Sequence, residues 1–259
     1  MGALRLISDA APVEPTLDAA ISRALMLRVA AGELPDTLRI SRPGPSVAFG
    51  RRDQIGPGYA DAVAAARTGG FEATERLAGG RAAVFHQDTI HFSHSIHEPD
   101  PRKHVTQRFD ETAALIAEAC RQLGVAAHVG EVEGEYCPGA HSVNARHQAK
   151  LMGVGQRVIQ NGASIGGVLV VDGADRIRAI LGPVYAALDL SWRPDTTGSL
   201  VDEVSSITWD QAVDAVVTAY RSRYELEPAL LDEDALALAR TLQPEHLSPA
   251  TADARAADS

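Results

Sequence analysis

Only two cysteines occur in 259 residues, and no Cys-x-x-Cys pair. A disulfide framework is therefore excluded, and a reducing cytoplasm is the expected setting. No apolar run approaches the roughly eighteen residues of a membrane span. The opening MGALRLISDAAPVEP lacks the basic-then-apolar order of a secretory leader, and its fit to a myristoylation start is poor. Positive charge is scarce: 24 Lys and Arg face 34 Asp and Glu, for a net charge of −10. That balance argues against nucleic acid or an anionic membrane as the partner. An acidic protein partner would need a local basic patch. Arg39, Arg42, Arg51 and Arg52 are one candidate and Arg102 with Lys103 another, solvated surface charge being the preferred reading of each. What remains, 45% hydrophobic and 22% charged residues, describes a soluble globular chain.

Periodicity supplies the elements. Residues 16–31 repeat Leu17, Ile21, Leu25 and Val29 on one helical face, with Thr16 as the expected N-cap and Gly32 as a stop. TLRISR (37–42) and SVAFG (46–50) read as two strands of a hairpin across a PGP turn, ending on Gly50, Arg51 and Arg52 as an anion-facing edge. A short helix over 58–70 and a strand over 71–77 follow, then strands in AVFH and TIHFSHSI. The clearest helix is 106–125, with Phe109, Ala113, Ile116, Cys120 and Leu123 on one face, which makes Cys120 a core thiol. Asn161-Gly162 marks a tight hairpin turn. Helices are expected over 182–190, starting on a proline, over 208–224 with a Thr-x-x-Gln capping pattern, and over DEDALALARTL. The mixture predicts an α+β fold, a mixed and largely antiparallel sheet flanked by helices. Residues 1–14 are expected to be an N-terminal arm, 15–243 a single domain, and 244–259 a disordered tail.

His91, His94 and His97 are spaced by three. On a strand that spacing alternates faces, so no metal site is expected from them.

The stretch 135–166, EYCPGAHSVNARHQAKLMGVGQRVIQNGASIG, concentrates the chemically capable residues. Cys137 lies in a Pro/Gly loop that could present a nucleophile. Lys150 is followed by glycines that allow close backbone approach to a carbonyl or phosphate oxygen. The plain alternatives are an incidental loop thiol and a surface charge.

Two segments, RLAGGRAAVFH (76–86) and KLMGVGQRVIQNGASIGGVLVV (150–171), resemble paired motifs of the lipoate–protein ligase, octanoyltransferase and biotin ligase superfamily. The order of elements resembles it over roughly residues 15–225, and the biotin-ligase Gly-Arg-Gly-Arg-x-Gly-Arg run is missing. The resemblance implies the biotin/lipoate ligase catalytic-domain fold, with an acyl chain in a tunnel beside Gly79-Gly80. It also implies binding roles for Arg76, Gly79, Gly80, Arg81, His86, Gly153 and Arg157. Lys150 is expected to hold a carbonyl or phosphate oxygen and to stabilise charge developing there.

The superfamily divides by chemistry. ATP-dependent ligases form an acyl-adenylate, use ATP and Mg2+, commonly carry a third glycine followed by His-Asp, and often add an accessory domain. Here Arg81 replaces that glycine, Gln87 follows His86, and little length remains beyond the last helix. The loop-cysteine octanoyltransferases carry Gly-Gly-Arg-Ala-Val-x-His with a cysteine before the lysine, the place of Cys137. That resemblance implies transfer of an octanoyl or lipoyl group, without a cofactor. The donor would be octanoyl-acyl carrier protein. The acceptor would be a lysine of a lipoyl domain of a 2-oxoacid dehydrogenase or of glycine cleavage H protein. EYCPGAHSVN and the extra Ala83 depart from that branch. An ATP-dependent ligase, a related amidotransferase and a non-catalytic acyl-binding module therefore stay open. His141 is the nearest candidate base for Cys137.

Overall fold

The computed structural model describes residues 2–249. In chain order the elements are β1 (Gly2–Val13), α1 (Pro15–Ala30), β2 (Thr37–Pro43), β3 (Ser46–Phe49), α2 (Arg51–Gln54) and α3 (Tyr59–Thr68). Next come β4 (Glu72–Glu75), β5 (Ala83–Phe85), β6 (Thr89–His97), α4 (Val105–Gln122), β7 (Ala127–Val129) and β8 (Val143–Ala145). The chain continues through β9 (Ala149–Ile159), β10 (Gly162–Val170), α5 (Ala174–Ala187), α6 (Leu200–Glu203), α7 (Trp209–Arg221), β11 (Tyr224–Pro228) and α8 (Glu233–Leu242).

Eight strands form one sheet in the order β11-β1-β2-β6-β10-β9-β8-β7, and β4-β3-β5 form a second, smaller one. β1 pairs parallel with both β11 and β2; the other pairings of the large sheet are antiparallel. This is the mixed, largely antiparallel α+β arrangement that the sequence pattern predicts.

Strand alternation divides the large sheet into two faces. Leu4, Leu6, Leu38, Ile40, Ile90 and Phe92 pack with α4 and α7 residues such as Ile116, Cys120, Val213 and Val216. The intervening residues turn to α1: Ile7 packs with Ile21 and Leu25, and Arg39 pairs with Asp18 at 2.7 Å. Fully burying one such aliphatic side chain contributes about 1.5–3 kcal/mol, so a one-residue register slip would forfeit many at once. A third cluster joins the small sheet to α3 and α5 through Val47, Phe49, Ala62, Val63, Ile177 and Leu181. Among the described residues no helix is long and apolar enough to cross a membrane.

Several expectations need correction. Residues 2–13 form β1 rather than an arm, inserted between β11 and β2. β2 and β3 are not a hairpin, because the PGP turn hands the chain from the large sheet to the small one. The N-cap of α1 is Glu14, whose carboxylate accepts from the Thr16 and Leu17 N–H groups. The helix expected from Gly182 begins eight residues earlier, with Pro183 inside it. Gly182 has no Cβ to clash with the proline ring, which makes that placement tolerable. Of the expected tail, residues 244–249 pack on the domain. His246 and Ser248 are buried, and the Ser248 N–H donates to Ala73 O. Residues 250–259 lie outside the described residues.

The basic patch on 39–52 is likewise dissolved in part. Arg39 is buried against Asp18 and Asp9, and Arg42 donates to Gln87 O while lying over the Trp209 ring. Arg51 and Arg52 are exposed on α2. The three histidines of β6 separate as alternation requires. His91 faces Asp18 of α1, His94 packs edge-on against Tyr220 and Tyr224, and His97 contacts Val29 O.

Candidate active site

The β8–β9 hairpin closes the thirteen-residue gap between Cys137 and Lys150. Arg146 and His147 turn the chain with positive φ, and the returning strand buries Lys150 to 1% exposure. An ammonium has three donors, and all three are used. Lys150 Nζ donates to Glu135 Oε1 at 2.9 Å, Tyr136 O at 3.0 Å and Cys137 O at 2.7 Å. It also lies 4.9 Å from the centre of the Tyr136 ring. In this state the lysine organises the cysteine loop, and binding a substrate oxygen requires it to give up one of these bonds.

Glu135 was assigned no role from the sequence, yet it anchors that loop. Its carboxylate accepts from Lys150, from Ser142 Oγ at 2.6 Å, from the Gly139 N–H and from the Val132 N–H. A carboxylate set among two other glutamates and two glycines in GEVEGEY has no local mark in sequence; only the tertiary pairing singles it out.

Cys137 itself has φ +43, a left-handed conformation costly for a residue with a side chain. Its N–H donates to Tyr185 Oη at 2.8 Å, and Tyr185 donates onward to Ala82 O at 3.1 Å. These bonds and the Lys150 clamp hold the strained residue. The thiol sulfur accepts from the Arg81 backbone N–H at 3.2 Å and from Arg76 Nη2 at 3.5 Å. Burial pushes the thiol pKa up, but Arg76, then Lys150, then the Arg81 N–H favour the thiolate, and the net shift is downward. At Cys120 burial outweighs the Arg121 charge and a backbone hydrogen bond, and the thiol is pushed up to about 12.

Gly80 takes φ +104, and a Cβ there would stand 2.6 Å from Arg76 Nη2 and 2.8 Å from Cys137 Sγ. Only glycine lets the 79–81 turn bring the Arg81 N–H onto the sulfur. The turn is pressed from behind by Gly50, whose Cβ would meet Gly80 O at 2.1 Å. Arg81 is also tied to Asp53 of α2 at 3.2 Å.

Cys137 opens on a cavity of about 290 Å³ lined by Gly79, Gly80, Tyr136, Lys150, Gly153 and His141, among others. A second cavity of about 130 Å³ lies under α1. Arg76, Phe85, Gly155 and Gly167 line both. Arg157 lines only the second. His86 lines neither: it is fully buried in the turn before β6, accepts from the Asp88 N–H, and packs against Gly173. Its pKa is lowered to about 4 chiefly by burial, so it is a neutral structural residue here. His141 lines the cysteine cavity but pairs with Asp110 at 3.0 Å and stacks on Phe109. No base accepts from the cysteine sulfur among the described residues. Nor do any of them form a group of three or more His, Cys, Asp or Glu placed for a metal ion.

Solved structures share this architecture. A lipoate-protein ligase A bound with ATP superposes with a TM-score of 0.76 at 18% identity, covering 95% of each chain. A putative lipoate protein ligase from T. acidophilum with bound lipoic acid gives 0.74 at 18% identity, over 95% of this chain and 96% of that one. A bi-partite lipoate protein ligase from Thermoplasma acidophilum, studied with its E2 lipoyl domain, gives 0.73 at 17%, over 95% and 93%. The fold is thus that of the lipoate-protein ligases. Comparison with curated protein sequences gives no match. The family described as lipoyl protein ligase A/B catalytic domain matches residues 14–221, and the chain belongs to that family.

Proposed function

We propose that the protein is a cysteine acyltransferase of protein lipoylation, moving an octanoyl or lipoyl group from acyl carrier protein to a lipoyl-domain lysine. The observation that carries this reading is the setting of Cys137 Sγ. It borders the cavity, and among the described residues donors, and no acceptor, are directed at it, which suits a resident thiolate better than a thiol awaiting a base. Thiolate attack on the donor thioester forms the new carbon–sulfur bond. The tetrahedral oxyanion then collapses, and the carrier thiolate leaves and takes up a proton from solvent. A neutral lysine amine next attacks the acyl-enzyme, loses its proton, and expels the Cys137 thiolate as the amide forms.

The Arg81 N–H and the Arg76 guanidinium are the donors nearest the reacting sulfur. Arg76 Nε is buried without a partner among the described residues, so a developing oxyanion would satisfy it. The Cys137 N–H is already committed to Tyr185. Lys150 contributes positive potential and holds the loop.

The acceptor is a lipoyl domain of a 2-oxoacid dehydrogenase or glycine cleavage H protein. The test is acyl transfer from octanoyl-acyl carrier protein to such a domain without ATP. Wild-type protein should transfer and Cys137→Ser should not. Full activity of Cys137→Ala with free lipoate, ATP and Mg2+, and none with the acylated carrier, would assign the ligase chemistry instead.

A further inference from the structure

α2 is a single helical turn set against the cysteine site, and it is pinned at both ends. A Cβ on Gly50, its N-cap, would meet Gly80 O, and a Cβ on Gly80 would meet Cys137 Sγ, so one residue separates the start of α2 from the sulfur. At the other end a Cβ on Gly58 would stand 1.8 Å from Ala187 O, so the chain leaving the helix is packed closely on the end of α5. On the inner face Asp53 Oδ2 accepts from the Gly50 N–H at 3.0 Å and Oδ1 from Arg81 at 3.2 Å, while Gln54 Nε2 donates to Phe49 O. Asp53 and Gln54 are buried.

The outer face carries the opposite character. Arg51 and Arg52 are exposed, and Ile55, one helical turn on from Arg51, is 69% exposed. Neither arginine forms an ion pair or a side-chain hydrogen bond among the described residues, and the adjacent acid, Asp53, is taken by Arg81. A chain of net charge −10 thus presents two unneutralised cations and an aliphatic side chain on a fixed turn beside its reactive sulfur. An acidic protein is repelled by such a chain at long range and needs a local patch of this kind to dock. Nucleic acid or an anionic membrane would gain too little from two charges against that background.

We propose that Arg51, Arg52 and Ile55 are the docking surface for the carrier that delivers the acyl group, an acidic protein presenting its thioester on a flexible arm. The arginines meet carboxylates of the carrier, and Ile55 is covered by an apolar residue among them. This rests on reading Cys137 as the group that attacks a carrier-borne thioester.

The test combines binding with a split between two donors. Fluorescence anisotropy measures binding of unacylated acyl carrier protein to wild type, Arg51→Glu/Arg52→Glu, Ile55→Ser and a control of equal charge change, Arg221→Glu/Arg223→Glu. The Arg51/Arg52 double variant should bind the carrier about tenfold or more weakly, Ile55→Ser severalfold more weakly, and the control like wild type. Added salt should weaken binding to wild type and leave the Arg51/Arg52 variant nearly unaffected. In steady-state transfer the KM for octanoyl-acyl carrier protein should rise in step. The kcat, and both constants for uncharged octanoyl-pantetheine, should not change. The proposal is overturned if wild type does not bind the carrier, if the Arg51/Arg52 variant keeps wild-type affinity, or if the control loses as much. It is also overturned if octanoyl-pantetheine is affected equally, or if the variant loses affinity for the lipoyl domain and not for the carrier. Carrier binding that depends on Arg51 and Arg52, without acylation of Cys137, would leave this surface standing and remove the transferase reading.

Discussion

Lys150 Nζ lies 2.7 Å from the carbonyl oxygen of Cys137: the lysine grips the backbone of the cysteine, while its charge also favours the thiolate. One residue therefore couples the shape of the loop to the reactivity it carries.

Removing the Glu135 partner should expose that coupling. Glu135→Ala leaves a buried ammonium unpaired and orphans three further donors. A loss of about 3–5 kcal/mol is expected from breaking a buried pair. Urea denaturation checks it; a loss below about 1 kcal/mol would mean that the pair is dispensable.

Thiol reactivity should report the electrostatics. Alkylation of Cys137 by iodoacetamide should titrate with a midpoint below that of an ordinary thiol, because Arg76, Lys150 and the Arg81 N–H outweigh burial. Arg76→Met should move the midpoint upward. Cys120, pushed up to about 12, should stay unmodified in the folded protein. An unchanged midpoint in Arg76→Met would remove the arginine from the account.

Gly50→Ala probes the support behind the 79–81 turn. The new Cβ would overlap Gly80 O and displace the turn that carries the Arg81 N–H. Misplacement of about 1 Å costs on the order of 100-fold in rate. Steady-state kcat for acyl transfer is the readout, with circular dichroism confirming that the fold survives.

Tyr185→Phe deletes the acceptor of the Cys137 N–H. An unsatisfied buried N–H costs about 1–3 kcal/mol, and release of the strained φ should lower kcat as well. Unchanged stability and rate would show that the loop needs no such support.

Acid should destabilise the fold before its carboxylates titrate. His86 and His94 are buried neutral, with pKa values lowered to about 4. Below about 6.5 the unfolded chain binds protons that the native state refuses, so stability falls with pH until about 4. Each histidine contributes a loss of about 2 kcal/mol between pH 6.5 and 5. Asp36 and Asp53, raised by burial, act with the opposite sign. His94→Phe should flatten the slope measured by denaturation across this window.

Legibility in the sequence followed locality. The α4 stripe, the Thr208–Gln211 capping box of α7, the Asn161-Gly162 turn between β9 and β10 and the alternating faces of β6 are short-range patterns, and they are where the residues indicate. β1 was illegible because its stability comes from parallel partners thirty or more residues later in β2 and more than two hundred later in β11, which no local period encodes. The site divides in the same way. Cys137, Lys150, Arg76, Gly79, Gly80, Arg81 and Gly153 converge. His86 has gone into the scaffold, because burial, not spacing, decides whether a histidine meets a ligand. Arg157 borders the second cavity instead. Glu135 and Tyr185 were missed because each acts through a contact formed only on folding.

The central claim, that Cys137 carries the acyl group, is tested most directly by intact-protein mass after incubation with octanoyl-acyl carrier protein. The account predicts a gain of one octanoyl group that maps to Cys137, is released by hydroxylamine and is absent from Cys137→Ser. An unmodified protein that instead releases pyrophosphate from ATP in the presence of octanoate or lipoate would contradict it.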